Sequence, residues 1–293
     1  MNEQRRGSLE MTAAMVISGT IGWMVVSSGR AVAEVVFWRC LFGAATLLPV
    51  CWWLGQLRRS VLNGRQLALA ACAGVAIVSN WLLLFGAYAR TSISIATVVY
   101  NTQPFMLVAL GALLLGERPG RARWGWLLLS FAGVGLLVQA RPGGQDGAYL
   151  TGVAMALGAA FCYAVAAFIA KRLTGMPPHL ISLVQAVVGA ALLWPFALRG
   201  APMAAQSWPW LLTLGVVHTG LMYILLYGAI QRLPTYVTGA LSFLYPLVAL
   251  AVDMVVFAQR PSALQWLGGA TVLLGAAGMV LGWRWPGRAL GRT

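Results

Sequence analysis

The chain has 293 residues, of which 60% are hydrophobic and only 9% charged, and its formal net charge is +14. Charged residues alone make up about a quarter of an ordinary soluble domain, so this composition excludes a soluble globular protein. The basic excess would suit a nucleic-acid binder only if it clustered on one surface, and its placement along the chain shows otherwise.

Uncharged or nearly uncharged runs recur from end to end, and a helix needs about 20 apolar residues to cross a hydrocarbon core of roughly 30 Å. Ten spans are predicted, at 9 to 29, 33 to 54, 67 to 89, 94 to 116, 124 to 140, 149 to 170, 178 to 198, 208 to 230, 235 to 257 and 264 to 283. Each run is continuously apolar, whereas barrel strands alternate over about 10 residues. The expected class is all-α integral membrane, with connections too short for a soluble domain.

In the first span, Arg5 and Arg6 precede an apolar run from Met11 to about Val26, and Ala31-Val32-Ala33 resembles a signal-peptidase site. The run is long for a cleaved signal and leads directly into the second span, so it reads as an uncleaved first helix. Trp23 lies in its outer half. Arg39 sits about 9 Å inside the second span at 1.5 Å per residue. It can snorkel, pair with Glu34 or meet a substrate carboxylate, and a structural role is the preferred reading. In the third span, Asn80, Leu84 and Tyr88 repeat every four residues and share a face, with Trp81 beside them.

The fourth span contains the run YNTQPFMLVALGALLLGERP, Tyr100 to Pro119. Gln103 and Pro104 fall about 15 Å deep, near the midplane. Proline is tolerated there where neighbours or cavity water satisfy the freed carbonyl, so a kink bordering a cavity is expected. Asn101, Thr102 and Gln103 point in different directions, so one or two face the cavity; the alternative is that they bond across helices as packing contacts. At its end, Glu117 beside Arg118 reads as a structural or gating pair.

Tyr163 in the sixth span and His218, Tyr223 and Tyr227 in the eighth are further polar or aromatic groups at depth, as is Tyr245 beside Pro246 in the ninth. His218 either contacts substrate or packs hydrogen-bonded. Tryptophan and tyrosine also anchor helices at the membrane surface, an equal reading for Tyr88, Tyr227, Trp52, Trp53, Trp208 and Trp210. Near the outer end of the ninth span, Asp253 is expected to pair with Arg260. Gly125, Gly133 and Gly135 in the fifth span and Gly268, Gly275, Gly278 and Gly282 in the tenth predict close packing of those two helices away from the substrate path. Cys40, Cys51, Cys72 and Cys162 lie within spans and form neither a disulfide nor a zinc spacing. Nothing calls for a cofactor or metal.

With the N-terminus inside, the inner segments hold Arg5, Arg6, Arg58, Arg59, Arg65, Arg118, Arg121, Arg123, Lys171, Arg172, Arg232, Arg284, Arg288 and Arg292, fourteen in all. The outer loops hold Arg30, Arg90, Arg141, Arg199 and Arg260, five in all. This bias puts both termini in the cytoplasm. The charge therefore reports topology in a bacterial inner membrane; anionic lipid is the implied polyanion, and no nucleic acid is expected.

Shifting the run at Tyr100 by 142 positions places it on SFLYPLVALAVDMVVFAQRP, Ser242 to Pro261, with Pro104 on Pro246, Arg118 on Arg260 and Pro119 on Pro261. Gly86 falls on Gly228, Arg90 on Arg232, Trp124 on Trp266 and Gly133 on Gly275. In the second and seventh spans the offset is 146, with Gly43 on Gly189 and Pro49 on Pro195. Constant offsets that match arginine, proline and tryptophan indicate duplication, and two repeats are expected, over 1–142 and 143–293. Five spans per repeat is an odd number, so the second repeat enters the membrane from the other side. Two inverted five-helix repeats around a central cavity provide for alternating access.

The runs QPFMLVALGALLLGERPGRARWGWLLLSFAGVGLL and YPLVALAVDMVVFAQRPSALQWLGGATVLLGAAG resemble the paired signature of the drug/metabolite transporter superfamily, in its ten-helix EamA-type exporters. FWRCLFGAA at Phe37 to Ala45 resembles the family's second helix, including its intramembrane arginine. The second repeat departs with Gln259 where the first has Glu117, and Gln185 where the first has Arg39. The resemblance implies an exporter rather than an enzyme, and the aromatic-rich spans are most similar to the branch that handles aromatic and other neutral amino acids. The expected substrates are small neutral or zwitterionic metabolites, carried by a monomer through a cavity formed by spans 1, 3, 4, 6, 8 and 9. Trp23, Asn80, Trp81, Tyr88, Tyr100, Gln103, Tyr163, His218, Tyr223 and Tyr245 are the expected substrate contacts. Arg39, Pro104, Glu117, Arg118, Pro246 and Arg260 are the expected gating or structural residues. The alternatives are an exporter of aromatic or cationic drugs and, remotely, an intramembrane hydrolase built on Ser18 and His218.

Overall fold

In lipid, a segment must satisfy its own backbone hydrogen bonds, so continuously apolar runs fold as helices. The computed structural model describes residues 3–58, 63–116, 121–139, 147–199, 202–233 and 235–283, and among them no strand occurs. The helices are α1 (Glu3–Gly19), α2 (Ile21–Ser27), α3 (Val32–Trp53), α4 (Gly64–Tyr88), α5 (Ile93–Tyr100), α6 (Gln103–Leu115), α7 (Arg121–Gln139), α8 (Gly147–Ala170), α9 (Pro178–Arg199), α10 (Trp208–Gly215), α11 (Met222–Arg232), α12 (Thr235–Ser242), α13 (Leu244–Val256) and α14 (Ala263–Val280). Among the described residues, eight helical stretches are long and apolar enough to cross a membrane, and Trp124–Leu137 and Leu244–Val256 are shorter apolar helices. These account for the ten spans.

Several spans are interrupted where one continuous helix was expected. The first breaks at Thr20, the ninth at Phe243 and the fourth at Asn101 and Thr102. The fourth break has a local cause. Pro104 has no N–H for the turn behind it, and α6 starts afresh with this proline in its first turn. The last carbonyls of α5 gain side-chain donors beside their backbone ones: Asn101 Nδ2 donates to Thr97 O at 2.7 Å and Thr102 Oγ1 to Val99 O at 2.9 Å, where the amides of Asn101 and Thr102 also donate. The prolines therefore mark helix starts rather than kinks in continuous helices. In the eighth span, Val216–Leu221 forms a π-helical turn between α10 and α11. Such turns are rare and frequent at functional sites.

The helix contacts exchange when the two halves exchange. α4 packs on α8 as α1 packs on α11; α5 and α6 lie against α8 as α12 and α13 lie against α1; α3 meets α9, and α7 meets α14. The correspondence reaches single atoms: Arg90 Nη1 donates to Gly86 O at 2.8 Å, and Arg232 Nη1 to Gly228 O at 2.8 Å. The α7/α14 contact forms as its glycines predict. A Cβ on Gly133 would lie 2.8 Å from Gly268 O, and one on Gly275 would lie 2.8 Å from Trp126 O. At these two points backbone meets backbone, the close approach that drives helix association in lipid.

Candidate functional site

A cavity of about 310 Å³ lies between the halves. Its wall includes Asn80, Trp81, Tyr88, Tyr100, Gln103, Tyr163, Tyr223 and Tyr245. The contributing elements belong to spans 1, 3, 4, 6, 8 and 9, and to the second span through Arg39. The breaks in the fourth and ninth spans bring Asn101 and Ser242 to the same wall.

Arg39 dominates the site electrostatically. It is 2% exposed, and its Nε donates to Thr219 Oγ1 at 3.0 Å. Thr219 in turn donates to Leu214 O, five residues back, at 3.1 Å, so the π-helical turn presents the hydroxyl that holds the arginine. A glycine permits the approach: a Cβ on Gly215 would lie 3.1 Å from Gly43 N, which brings α3 against that turn. The guanidinium carbon lies 4.3 Å from the centre of the Trp81 ring and 5.6 Å from that of Phe85. Glu34 does not pair with Arg39; it binds Arg30, one turn back in sequence, at 2.5 Å. A partly desolvated cation over an aromatic face, with no carboxylate on the cavity wall among the described residues, is a ready receptor for a substrate anion.

Two acceptors complement it. Asn80 donates through Nδ2 to Ala159 O at 2.8 Å, while Asn80 Oδ1 and Gln103 Oε1 are buried and accept no hydrogen bond among the described residues. Burying such oxygens unpaired costs about 1 to 3 kcal/mol each. Aromatic rings make up much of the rest of the wall, with aliphatic and methionine side chains between them: Tyr100 and Tyr163 meet edge to face at 5.9 Å, and Tyr223 stacks at 5.9 Å on Tyr227, which lies behind the wall.

Other expected site residues lie elsewhere. Trp23 packs against Trp210 at 6.0 Å, outside the cavity wall, because the break at Thr20 turns α2 onto α10. His218 is also outside. Its Nε2 meets Thr20 Oγ1 at 2.9 Å and its Nδ1 meets Thr213 O at 3.1 Å, tying the π-helical turn to the break in the first span. Ser18 donates to Ala14 O at 2.8 Å and has no bond to His218. Neither proline lines the cavity; Pro246 is buried in a separate apolar slot. Asp253 does not pair with Arg260: it accepts from Ser94 N at 2.6 Å and from Ser94 Oγ at 2.5 Å. A carboxylate at the first turn of α5 satisfies a free N–H there, which outweighs a distant exposed arginine. Glu117 and Arg118 lie outside the described residues. Missed from the sequence were Met11 and Met15 on one face of α1 and Phe85 on α4, and Ser18, weighed only for a hydrolase, lines the cavity on the same face of α1; their spacing was the available signal.

The Asp253 contact closes one end. α5 packs on α13 at the end away from the N-terminus, whereas α6 and α12, their counterparts at the N-terminal end, make no comparable contact among the described residues.

Residues 6–139 and again 150–281 match the EamA-like transporter family. The chain belongs to the EamA-like transporter family. It is a multi-pass membrane protein and a transporter. It is 29% identical over 277 residues to the "Uncharacterized transporter YxxF" of Bacillus subtilis, covering 92% of this chain and 88% of that one. It is 30% identical over 205 residues to the "Probable amino-acid metabolite efflux pump" of Salmonella typhimurium, covering 65% and 68%. The "Threonine/homoserine exporter RhtA" of the same species is 29% identical over 161 residues, or 53% and 54% of the two chains. One solved structure, titled "Crystal structure of protein", superposes with a TM-score of 0.69 at 19% identity, covering 97% of this chain and 99% of that one, and shares the fold.

Proposed function

We propose that the protein exports small zwitterionic metabolites, amino acids with aromatic ones among them, across a bacterial inner membrane by alternating access between two inverted repeats, 1–142 and 143–293. Both termini are cytoplasmic and the monomer is the working unit. The observation that carries this reading is the pairing, in one cavity, of the Arg39 guanidinium with the unpartnered carbonyl oxygens of Asn80 and Gln103. Arg39 receives the substrate carboxylate, the two amide oxygens accept from its ammonium, and Tyr100, Tyr163 and Tyr223 border its side chain. A zwitterion brings both charges and no net charge, which suits a wall that among the described residues has one cation, no carboxylate and two free amide oxygens. A cationic drug would face Arg39 without a counter-charge. The names of the two Salmonella typhimurium relatives agree with amino-acid export.

With the seal at Asp253 closed, the conformation is inward-facing. The prolines start α6 and α13, whose preceding breaks border the cavity, so the segments on the open side of those breaks, α6 and α12, are the parts that move. Counterflow of radiolabelled amino acids in vesicles holding the purified protein, with and without a proton gradient, tests the reading. Counterflow with neutral amino acids is expected; none with any amino acid, alongside efflux of a cationic dye, would reverse it.

A further inference from the structure

Two hollows adjoin at the end away from the N-terminus, and four residues, Ser94, Ile95, Pro261 and Gln265, line both. One, of about 210 Å³, is polar and holds Arg90, Arg260, Gln259 and Tyr149. The other, of about 160 Å³, is an apolar slot between α5, α13 and α14 that includes Val98, Pro246, Leu250 and Gly269. Leu247 and Trp266 in the slot are 51% and 48% exposed, so it opens sideways, where lipid would lie.

We propose that this pair of hollows binds one anionic phospholipid, its phosphate held by Arg90 and Arg260 and one acyl chain lying in the slot. Charge complementarity selects the occupant. Both arginines are exposed, Arg260 has no hydrogen bond or ion pair among the described residues, and no carboxylate lines the polar hollow among them. Arg90 uses one donor on Gly86 O and, among the described residues, keeps the others. A phosphate at the level of the interhelical loops with an aliphatic chain beneath it matches this order of polar above apolar, and basic side chains near a bilayer surface attract anionic lipid. Gly269 completes the slot: a Cβ there would come no closer than 4.0 Å to Val98, so the space beside α14 is free for a chain. The lipid would touch Ser94, the residue that holds Asp253.

The test is native mass spectrometry of the full-length protein titrated with phosphatidylglycerol, with phosphatidylcholine of the same chains, and with inorganic phosphate. One phosphatidylglycerol is expected to be retained in preference to phosphatidylcholine. Arg260→Gln should weaken its retention about fivefold, and Arg90→Gln/Arg260→Gln should remove the preference between the lipids. Gly269→Leu, which fills the slot, should weaken both lipids and leave the preference intact. Arg260 lies on an exposed loop, so its single variant carries the test even if Arg90→Gln fails to fold. Equal retention of both lipids by the unaltered protein, a preference that survives loss of both arginines, or displacement by inorganic phosphate with no effect of Gly269→Leu would each overturn the proposal.

Discussion

A guanidinium in the middle of a membrane protein has to be held, and among the described residues Arg39 is held on one edge only, by Thr219 and the Trp81 face. If its other edge receives a carboxylate, Arg39→Lys should raise the KM for amino acids about tenfold or more, the size of a charge-assisted hydrogen bond. The same variant should leave binding of an amine lacking the carboxylate unchanged; equal losses for both ligands would assign Arg39 to packing. Tyr100→Ala, Tyr163→Ala and Tyr223→Ala should each lower transport and change the preference between large and small side chains. Trp52, 73% exposed, should tolerate alanine with an effect on expression alone. Depth made Tyr100, Gln103 and Tyr245 legible in the sequence, because polar and aromatic groups far from the interface need a reason to be there. Depth does not tell which way a side chain faces, so Trp23 and His218 were placed in the cavity although each is turned toward a neighbouring helix. The partner of Asp253 was misread for a related reason: sequence proximity suggested an ion pair with Arg260, while the fold offered a helix N-terminus. Of the readings open for Arg39, the pair with Glu34 does not form, because Arg30 one turn back takes that carboxylate.

Among elements, the interrupted fourth and ninth spans carry the clearest expectations. Pro104→Ala and Pro246→Ala restore a backbone donor at the start of α6 and α13 and allow each break to close into continuous helix. Near-normal insertion is expected with slowed transport and opposite shifts in the accessibility of single cysteines at Tyr88 and Arg65. Shifts in the same direction, or none, would make the prolines packing features. Asp253→Asn weakens the seal between α13 and α5, and labelling of a cysteine at Tyr88 from the far side should rise about tenfold, again the worth of one charged hydrogen bond. The spans and the α7/α14 glycine contact were readable because a bilayer imposes length and small residues announce close packing. The π-helical turn at Val216–Leu221 was not, since no local residue pattern distinguishes five-residue from four-residue hydrogen bonding over a single turn.

For the whole molecule, the charge bias makes a topological prediction: a cysteine at Gln259 should react with an impermeant reagent from the periplasmic side, and one at Arg65 should not. The repeat geometry reaches further. In alternating access, the opposite closed state is obtained by letting each half adopt the other's shape, so α12 would come to rest on α6 as α13 now rests on α5. Subtracting 142 from Asp253 gives Gly111, and adding 142 to Ser94 gives Tyr236. The latch that fastens one end therefore has no counterpart at the other. With the orientation proposed above, such a carrier would idle with its mouth toward the cytoplasm, and its half-saturation concentrations would differ between the two faces. Detailed balance forbids that inequality from concentrating anything by itself. A lopsided latch sets how often the carrier waits on each side, and a gradient of something else must decide which way the cargo accumulates.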